Sequence, residues 1–300
     1  MKISSDFNLS LCGIFGHKID YTLSPLIHNS IAKLLDINLC YGKFDVSPEL
    51  FPAAVKGFKA MGMKGANVTQ PYKTEVLKYL DCLDGEAETV GAVNTINRES
   101  DGFYRGYNTD ITGFINAVNY EFNEDITGKT VIMLGAGGAA RAVLYALIKS
   151  NAKYVLIINR TFSNAEKLKK EADLWKKSLN SFTEIIYTDF KFTGVSEKTD
   201  IAFIEDCGIL INTVTPSDGN KNFAGGLFNR LNFIKNNFFL MDISYSEKSS
   251  FISSVLEEKC LKFANGLSML LFQAIESFYI WTGKRIEFDC IKDFLTQNCR

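Results

Sequence analysis

Three segments of this chain carry residue types that together suit a reductase moving a proton and a hydride. Asn67-Val68-Thr69-Gln70-Pro71-Tyr72-Lys73 joins two hydrogen-bonding side chains, a proline that can open a helix, and a lysine. Asn108-Thr109-Asp110 supplies a carboxylate. Gly135-Ala136-Gly137-Gly138-Ala139-Ala140 is a glycine-rich turn of the kind that lets backbone approach a pyrophosphate. A lysine beside a carboxylate also has a plain structural meaning, a salt bridge, and the segments alone leave that alternative open.

The elements around these residues read as alternating strands and helices. Leu9–Phe15 reads as a strand. Pro25–Leu35 reads as a helix with Ser24 as its N-cap and Pro25 in the first helical position. Asn38–Phe44 and Gly65–Thr69 are further strands, and Pro48–Ala60 and Pro71–Leu80 further helices. Ala92–Asn97 and Phe103–Tyr107 form a hairpin, and a helix follows from Asp110 to Tyr120. A second unit then begins with the apolar strand Lys129–Leu134, the glycine turn and a helix over Ala139–Lys149. The strand Tyr154–Ile158 and the charged helix Ser163–Lys177 come next, then strands near Glu184–Tyr187, at Ile209–Asn212 and at Phe238–Ile243. Leu267, Leu270, Leu271, Ala274 and Phe278 make an apolar stripe at helical spacing, read as core. The expected class is α/β with two domains and mostly parallel sheets.

A chain of 300 residues favours two domains. The expected boundaries are 1–110, completed by 266–300, for one domain and 111–265 for the other. A net charge of −1 gives no electrostatic footprint for nucleic acid or an anionic membrane. The seven cysteines are odd in number and include no Cys-x-x-Cys, which fits free thiols in a reducing cytosol. Only two histidines are present, so a metal centre of His and Cys ligands is not expected. The N-terminal apolar run reads as a buried strand rather than a signal peptide. No run reaches the length of a membrane span. These readings make the expected compartment cytoplasmic.

The glycine turn follows a strand and opens a helix, the context that the dinucleotide fingerprint requires. Gly135 permits the tight turn, Gly137 the approach of a pyrophosphate, and Ala140 close packing of helix on sheet. The N–H groups at the helix start, around Gly138 and Ala139, then bind the anion. The next strand ends at Asn159-Arg160-Thr161, near where an NAD binder carries an acidic residue. Asn159 is neutral and Arg160 can face a 2′-phosphate, so NADP is favoured over NAD. A surface arginine is the alternative.

Taken in order, these motifs resemble the shikimate dehydrogenase family along nearly the whole chain. The matching residues are Ser24-Pro25-x-x-His28-Asn29, Asn67-Val68-Thr69-x-Pro71-Tyr72-Lys73, Gly91-Ala92-Val93-Asn94-Thr95, and Asn108-Thr109-Asp110-x-x-Gly113-Phe114. The glycine turn, Asn159-Arg160-Thr161, and Gln273 before Trp281-Thr282-Gly283 complete the set. The resemblance implies reversible, NADPH-dependent reduction of 3-dehydroshikimate to shikimate in aromatic amino-acid biosynthesis. It implies an N-terminal substrate domain, a Rossmann domain and a C-terminal return to the first. It assigns Lys73 and Asp110 to catalysis. Thr22 and Ser24 are expected on the substrate carboxylate with Tyr245, and Thr69, Asn94 and Gln273 on its ring hydroxyls. Ser24 as a helix cap and His28 as a packing residue remain the structural alternatives. Gly135, Ala136, Gly137, Gly138, Ala139, Asn159, Arg160 and Thr161 are expected to hold NADP. The partners implied are small molecules, with the chain a monomer or homodimer.

Several positions depart from the family pattern. Tyr21-Thr22 stands where His-Ser is common, and Asn164 where many NADP users place a second cation, with Lys167 one turn on. Ser268 replaces a usual glycine, and no proline follows Tyr245. These departures keep open a quinate/shikimate dehydrogenase using NAD or both cofactors. A non-catalytic shikimate-sensing module is a further alternative, against which the presence of both Lys73 and Asp110 weighs.

Overall fold

The computed structural model describes residues 9–189, 207–214, 238–244 and 260–298. The chain divides into two compact units, Met1–Gly113 with Leu270–Arg300, and Phe114–Met269.

The first unit carries a six-stranded sheet in the order β2-β1-β3-β5-β6-β4. Its strands are β1 (Ser10–Gly16), β2 (Leu39–Asp45), β3 (Gly65–Val68), β4 (Cys82–Leu83), β5 (Thr95–Arg98) and β6 (Tyr104–Tyr107). β1 runs parallel to both β2 and β3. β5 runs antiparallel to β3 and to β6, so this sheet is mixed where the alternation of elements suggested a mostly parallel one. The reason is local. A five-residue loop after β5 is too short for a crossover and can only make a hairpin with β6.

The helices of this unit are α1 (Ser24–Leu34), α2 (Phe51–Ala60) and α3 (Gly85–Val90). Two expectations about helix starts are corrected here. Leu23, not Ser24, is the cap residue of α1, no side chain caps the helix, and Pro25 is its second residue. The Ser24 hydroxyl instead accepts from Thr22 Oγ1 at 3.2 Å. The segment after Pro71 is not an α-helix. Turns lead into a short 3-10 helix over Glu75–Tyr79. The Lys73 carbonyl accepts from the Val93 N–H at 2.8 Å and is lost to an intrahelical ladder. Tyr72 anchors the same turn, stacked on Phe51 at 3.9 Å and donating to the Val46 carbonyl at 2.5 Å.

One core of this unit gathers Ile14, Ile27, Ile31 and Tyr41 against Leu271, Phe278 and Trp281. Leu271, Phe278 and Trp281 come from α7 (Leu267–Thr282), which is followed by α8 (Phe288–Asn298). Trp281 Nε1 donates to the Ile96 carbonyl at 2.8 Å. Gly65 is needed beneath it, because a Cβ there would lie 2.2 Å from the indole nitrogen.

The second unit is a parallel six-stranded sheet in the order β12-β11-β10-β7-β8-β9. Its strands are β7 (Thr130–Leu134), β8 (Tyr154–Ile158), β9 (Glu184–Thr188), β10 (Ile209–Asn212), β11 (Phe239–Asp242) and β12 (Lys262–Asn265). Numbered within the unit this is 6-5-4-1-2-3, the order of a dinucleotide-binding Rossmann sheet. β7 and β10 are buried at every residue, as strands covered on both faces must be. The helix α4 (Thr109–Phe122) leads in, α5 (Gly138–Lys149) follows β7, and α6 (Phe162–Leu179) follows β8. Among the described residues no helix is long and apolar enough to cross a membrane, no metal-ligating cluster occurs, and no disulfide joins the cysteines. Burial pushes the Cys12 thiol up to about 12.

His28 is wholly buried in the first core, stacked on Tyr41 at 4.3 Å and tilted against Trp281 at 5.0 Å. Neither ring nitrogen makes a hydrogen bond of good geometry. Burial holds its pKa down at about 3, with Asn67 acting in the opposite sense. The unfolded chain therefore takes up a proton near pH 6.5, whereas the folded chain does so only near 3. The stability this site contributes is complete above pH 6.5 and declines as pH falls through that window. At pH 5 the loss is about 2 kcal/mol. His28→Phe keeps a ring in the stack and removes the titration. Urea unfolding at pH 7 and pH 5 should show a larger acid loss in the wild type than in the variant; equal losses would remove His28 from the acid response.

Candidate active site

The topology of the first sheet brings the chemically apt residues to one edge. β1 and β3 are parallel, so Gly16 and Val68 end at the same side. β5 runs the other way, so Thr95 begins there, paired with Asn67 and with Tyr107. Thr22 and Ser24 follow the end of β1. Thr69 and Lys73 follow β3, Asn94 precedes β5, and Asn108-Thr109-Asp110 follow β6. Had β5 been parallel, Asn94 would stand at the opposite edge.

Lys73 and Asp110 meet. Lys73 Nζ lies 2.6 Å from Asp110 Oδ2, with the side chains only 17% and 9% exposed. Asp110 is in the first turn of α4, where a negative charge is favoured by the helix dipole. Its other oxygen, Oδ1, accepts from Asn94 Nδ2 at 2.8 Å. Asn94 is itself fixed by its backbone: its N–H donates to the Tyr107 carbonyl and its carbonyl accepts from Val68 N–H. Its Oδ1 accepts from the Thr109 N–H at 2.7 Å. The amide therefore has one orientation, N–H toward the carboxylate.

The remaining expected residues take different places. Thr22 Oγ1 donates to Ser24 Oγ and accepts from the Ser24 N–H, making a paired-hydroxyl turn. Thr69 is held by its N–H to the Phe15 carbonyl at 2.9 Å, and its methyl packs where a Cβ on Gly16 would lie, 2.5 Å away. Gln70 Nε2 reaches the Tyr21 hydroxyl at 3.4 Å. Gln273, on α7, donates to the Leu270 carbonyl at 2.8 Å and accepts weakly from Asn94 Nδ2 at 3.4 Å. Tyr245 lies outside the described residues.

Residue types and spacing did not single out the layer behind the pair. Asn67, Thr95, Thr109 and Ser277 are all buried and bonded to one another. Tyr41 extends the layer, its hydroxyl donating to Asn67 Oδ1 at 2.7 Å. Asn67, Thr95 and Thr109 each lie within or beside a recognised motif, and that was the available signal. Ser277 had none beyond its position one helical turn past Gln273.

In the second unit the glycine turn sits at the carboxyl end of β7, where the strand order reverses between β7 and β10. Such a switch point is where open α/β sheets bind ligands. Gly135 has φ +106°, and a Cβ there would lie 2.4 Å from Thr213 Oγ1. Gly137 caps α5, and neither it nor Gly138 would have a neighbour within 4 Å of an added Cβ. Ala136 and Ala139 flank them, and the first N–H groups of α5 have no acceptor inside the helix. Ala140 is wholly buried beneath the turn. Asn159 Nδ2 donates to the Thr161 carbonyl at 2.9 Å, bending the chain after β8, and Arg160 is exposed there. A helix start left open at Gly137 and Gly138, with an exposed arginine just past the end of the adjacent strand β8, fits a dinucleotide phosphate.

Comparison with known proteins identifies the family. Residues 14–96 match the model of the shikimate dehydrogenase substrate binding domain. Residues 117–208 match shikimate / quinate 5-dehydrogenase, and 266–293 the shikimate 5′-dehydrogenase C-terminal domain. The shikimate dehydrogenase (NADP(+)) of Caldanaerobacter subterraneus subsp. tengcongensis is 38% identical over 310 aligned positions, covering 100% of this chain and 99% of that protein. The solved shikimate 5-dehydrogenase of Listeria monocytogenes, in complex with shikimate and NAD, is 31% identical with a TM-score of 0.82, covering 96% of each chain. A solved shikimate dehydrogenase in complex with NADP+ is 32% identical with a TM-score of 0.79, covering 97% of this chain and 96% of that one. By sequence over its full length and by the fold of its two units, the chain belongs to the shikimate dehydrogenase family.

Proposed function

We propose that this protein is an NADP-dependent shikimate dehydrogenase, reducing 3-dehydroshikimate reversibly to shikimate in the route to aromatic amino acids. The observation that carries the reading is the Lys73–Asp110 pair, oriented by Asn94 at the sheet edge that also presents Thr22, Ser24 and Thr69. The first unit is the substrate domain and the second the cofactor domain. The match of residues 14–96 to a shikimate dehydrogenase substrate binding domain supports the first assignment, and the Rossmann strand order supports the second.

The chemistry follows from the groups present. The nicotinamide, when bound, supplies or accepts the hydride. Lys73 has three N–H donors and gives one to Asp110, leaving donors for the ketone oxygen. An ammonium there stabilises the negative charge that develops on that oxygen and delivers a proton to it. Asp110 keeps the ammonium aimed and takes part in returning the proton in the oxidative direction. The neutral hydroxyls of Thr22 and Ser24 suit a carboxylate, and Thr69, Asn94 and Gln273 suit ring hydroxyls. Tyr245, outside the described residues, is assigned to the carboxylate by family resemblance alone. Gly135, Ala136, Gly137, Gly138 and Ala139 receive the pyrophosphate, while Asn159, Arg160 and Thr161 receive the adenosine ribose and its 2′-phosphate.

Initial rates of nicotinamide reduction, with shikimate and quinate each tested against NADP and NAD, check the whole reading. Turnover of shikimate with NADP should dominate. Comparable rates with quinate and NAD would move the protein to the quinate branch, and shikimate binding without oxidation would favour a sensing module. Lys73→Ala should lower kcat by about 100-fold or more while the circular dichroism spectrum is retained; near-wild-type turnover would take Lys73 out of the mechanism. Arg160→Ala should raise KM for NADP by about tenfold, the loss of one charge-assisted contact, and change KM for NAD little. Equal effects on the two cofactors would show that Arg160 does not read the 2′-phosphate.

A further inference from the structure

Behind the catalytic pair lies a closed hydrogen-bond network whose centre is a serine with no assigned role. Ser277 is wholly buried on α7. Its hydroxyl lies 3.0 Å from Asn67 Nδ2, 2.8 Å from Thr95 Oγ1 and 3.1 Å from Thr109 Oγ1, and it donates to the Gln273 carbonyl at 2.9 Å. A hydroxyl has one proton and two lone pairs. With the proton on the Gln273 carbonyl, Ser277 is left as an acceptor for two of its three other neighbours.

That choice propagates. The Tyr41 hydroxyl donates to Asn67 Oδ1, so the Asn67 amide must turn its Nδ2 toward Thr95 and Ser277. Thr95 Oγ1, accepting from Asn67, turns its own proton to Asn94 Oδ1 or Ser277. Thr109 Oγ1 accepts from Asn94 Nδ2 at 2.9 Å and gives its proton to Ser277 or to Asn94 Oδ1. Asn94 is then left with its oxygen fully engaged and its second N–H on Asp110 Oδ1. We propose that Ser277, acting with Thr95, is a positioning residue for the reaction: its buried oxygen accepts from the Asn67 amide and from one threonine hydroxyl, so that only the other threonine turns its proton to Asn94 Oδ1, and the Asn94 amide is held toward Asp110 with the carboxylate aimed at Lys73. The proposal rests on the reading that Lys73 and Asp110 act on the substrate.

Removal of the Ser277 oxygen leaves the two threonine hydroxyls competing for Asn94 Oδ1, which already accepts from the Thr109 N–H, in a buried layer, while Asn67 Nδ2 keeps the Asn94 backbone carbonyl at 3.1 Å. The amide orientation then relaxes without any loss of a substrate contact. Ser277→Ala, Ser277→Thr, Thr95→Val and the Ser277→Ala/Thr95→Val double variant test this by steady-state kinetics with shikimate and NADP. Ser277→Ala and Thr95→Val should each lower kcat by about tenfold and leave KM for NADP within about twofold. Ser277→Thr, which keeps a hydroxyl able to bond the carbonyl one turn back, should recover most of that loss. The double variant should lose no more than the worse single one, because the two residues act through one network. A Ser277→Ala enzyme with wild-type kcat, or losses that multiply in the double variant, would overturn the proposal. If Ser277→Ala does not accumulate as folded protein, Thr95→Val against Thr95→Ser decides by the same kcat criterion. A wild-type protein inactive on every substrate and cofactor pair would remove the underlying reading and this proposal with it; an active wild type indifferent to Ser277→Ala would remove this proposal alone.

Discussion

An ammonium and a carboxylate 2.6 Å apart, with little of either open to water, are not held there by their attraction alone. Removing both charges from solvent costs more than a single contact returns unless the remaining lone pairs are satisfied. Asp110 meets that condition through the Asn94 amide and its place in the first turn of α4. Asn94 in turn depends on Tyr107, Val68 and Thr109 for its place. The pair is thus the visible end of a layered arrangement in which strands hold an amide, the amide holds a carboxylate, and the carboxylate holds a lysine.

The mixed sheet is what allows those layers to meet. Parallel β1 and β3 deliver the Thr22–Ser24 turn and the Thr69–Lys73 segment to one side. β5, running the opposite way, begins on that side just after Asn94, and β6, running back along the direction of β3, ends there and delivers Asp110. The packing of α7 closes the layer from behind, with Trp281 bonded to β5 over the bare backbone of Gly65. The same helix carries Gln273 and Ser277 into the polar layer. Its apolar stripe and its polar residues serve one purpose, since the aromatic core fixes the helix depth at which those side chains arrive.

The second unit reaches its site by simpler means. Six parallel strands all end at one side, and the order of strands reverses beside β7. A glycine turn there needs no support from a side-chain network. It needs only a left-handed residue at Gly135, open space at Gly137 and Gly138, and a small residue at Ala140 below. Each of those demands is met by the absence of a side chain, and such requirements leave a clear mark in sequence.

That difference marks what the sequence by itself determined and what only the tertiary structure decided. The glycine turn, its flanking strand and helix, and the hairpin around residue 100 were legible because each depends on contacts within a few residues. Lys73, Asp110 and Asn94 were legible as types in motifs. The 3-10 turn around Lys73 was not, because its carbonyl is bonded to Val93, twenty residues on by chain position. The cap of α1 fell one residue earlier, at Leu23, with Ser24 engaged instead by the nearby Thr22 hydroxyl. The direction of β5, the fixed orientation of the Asn94 amide and the burial of Ser277 among three other polar side chains are all products of long-range pairing. Local propensity encodes a residue's backbone and its identity, but the direction in which a buried hydrogen bond points is set by partners from distant strands, and only the folded chain brings those partners together.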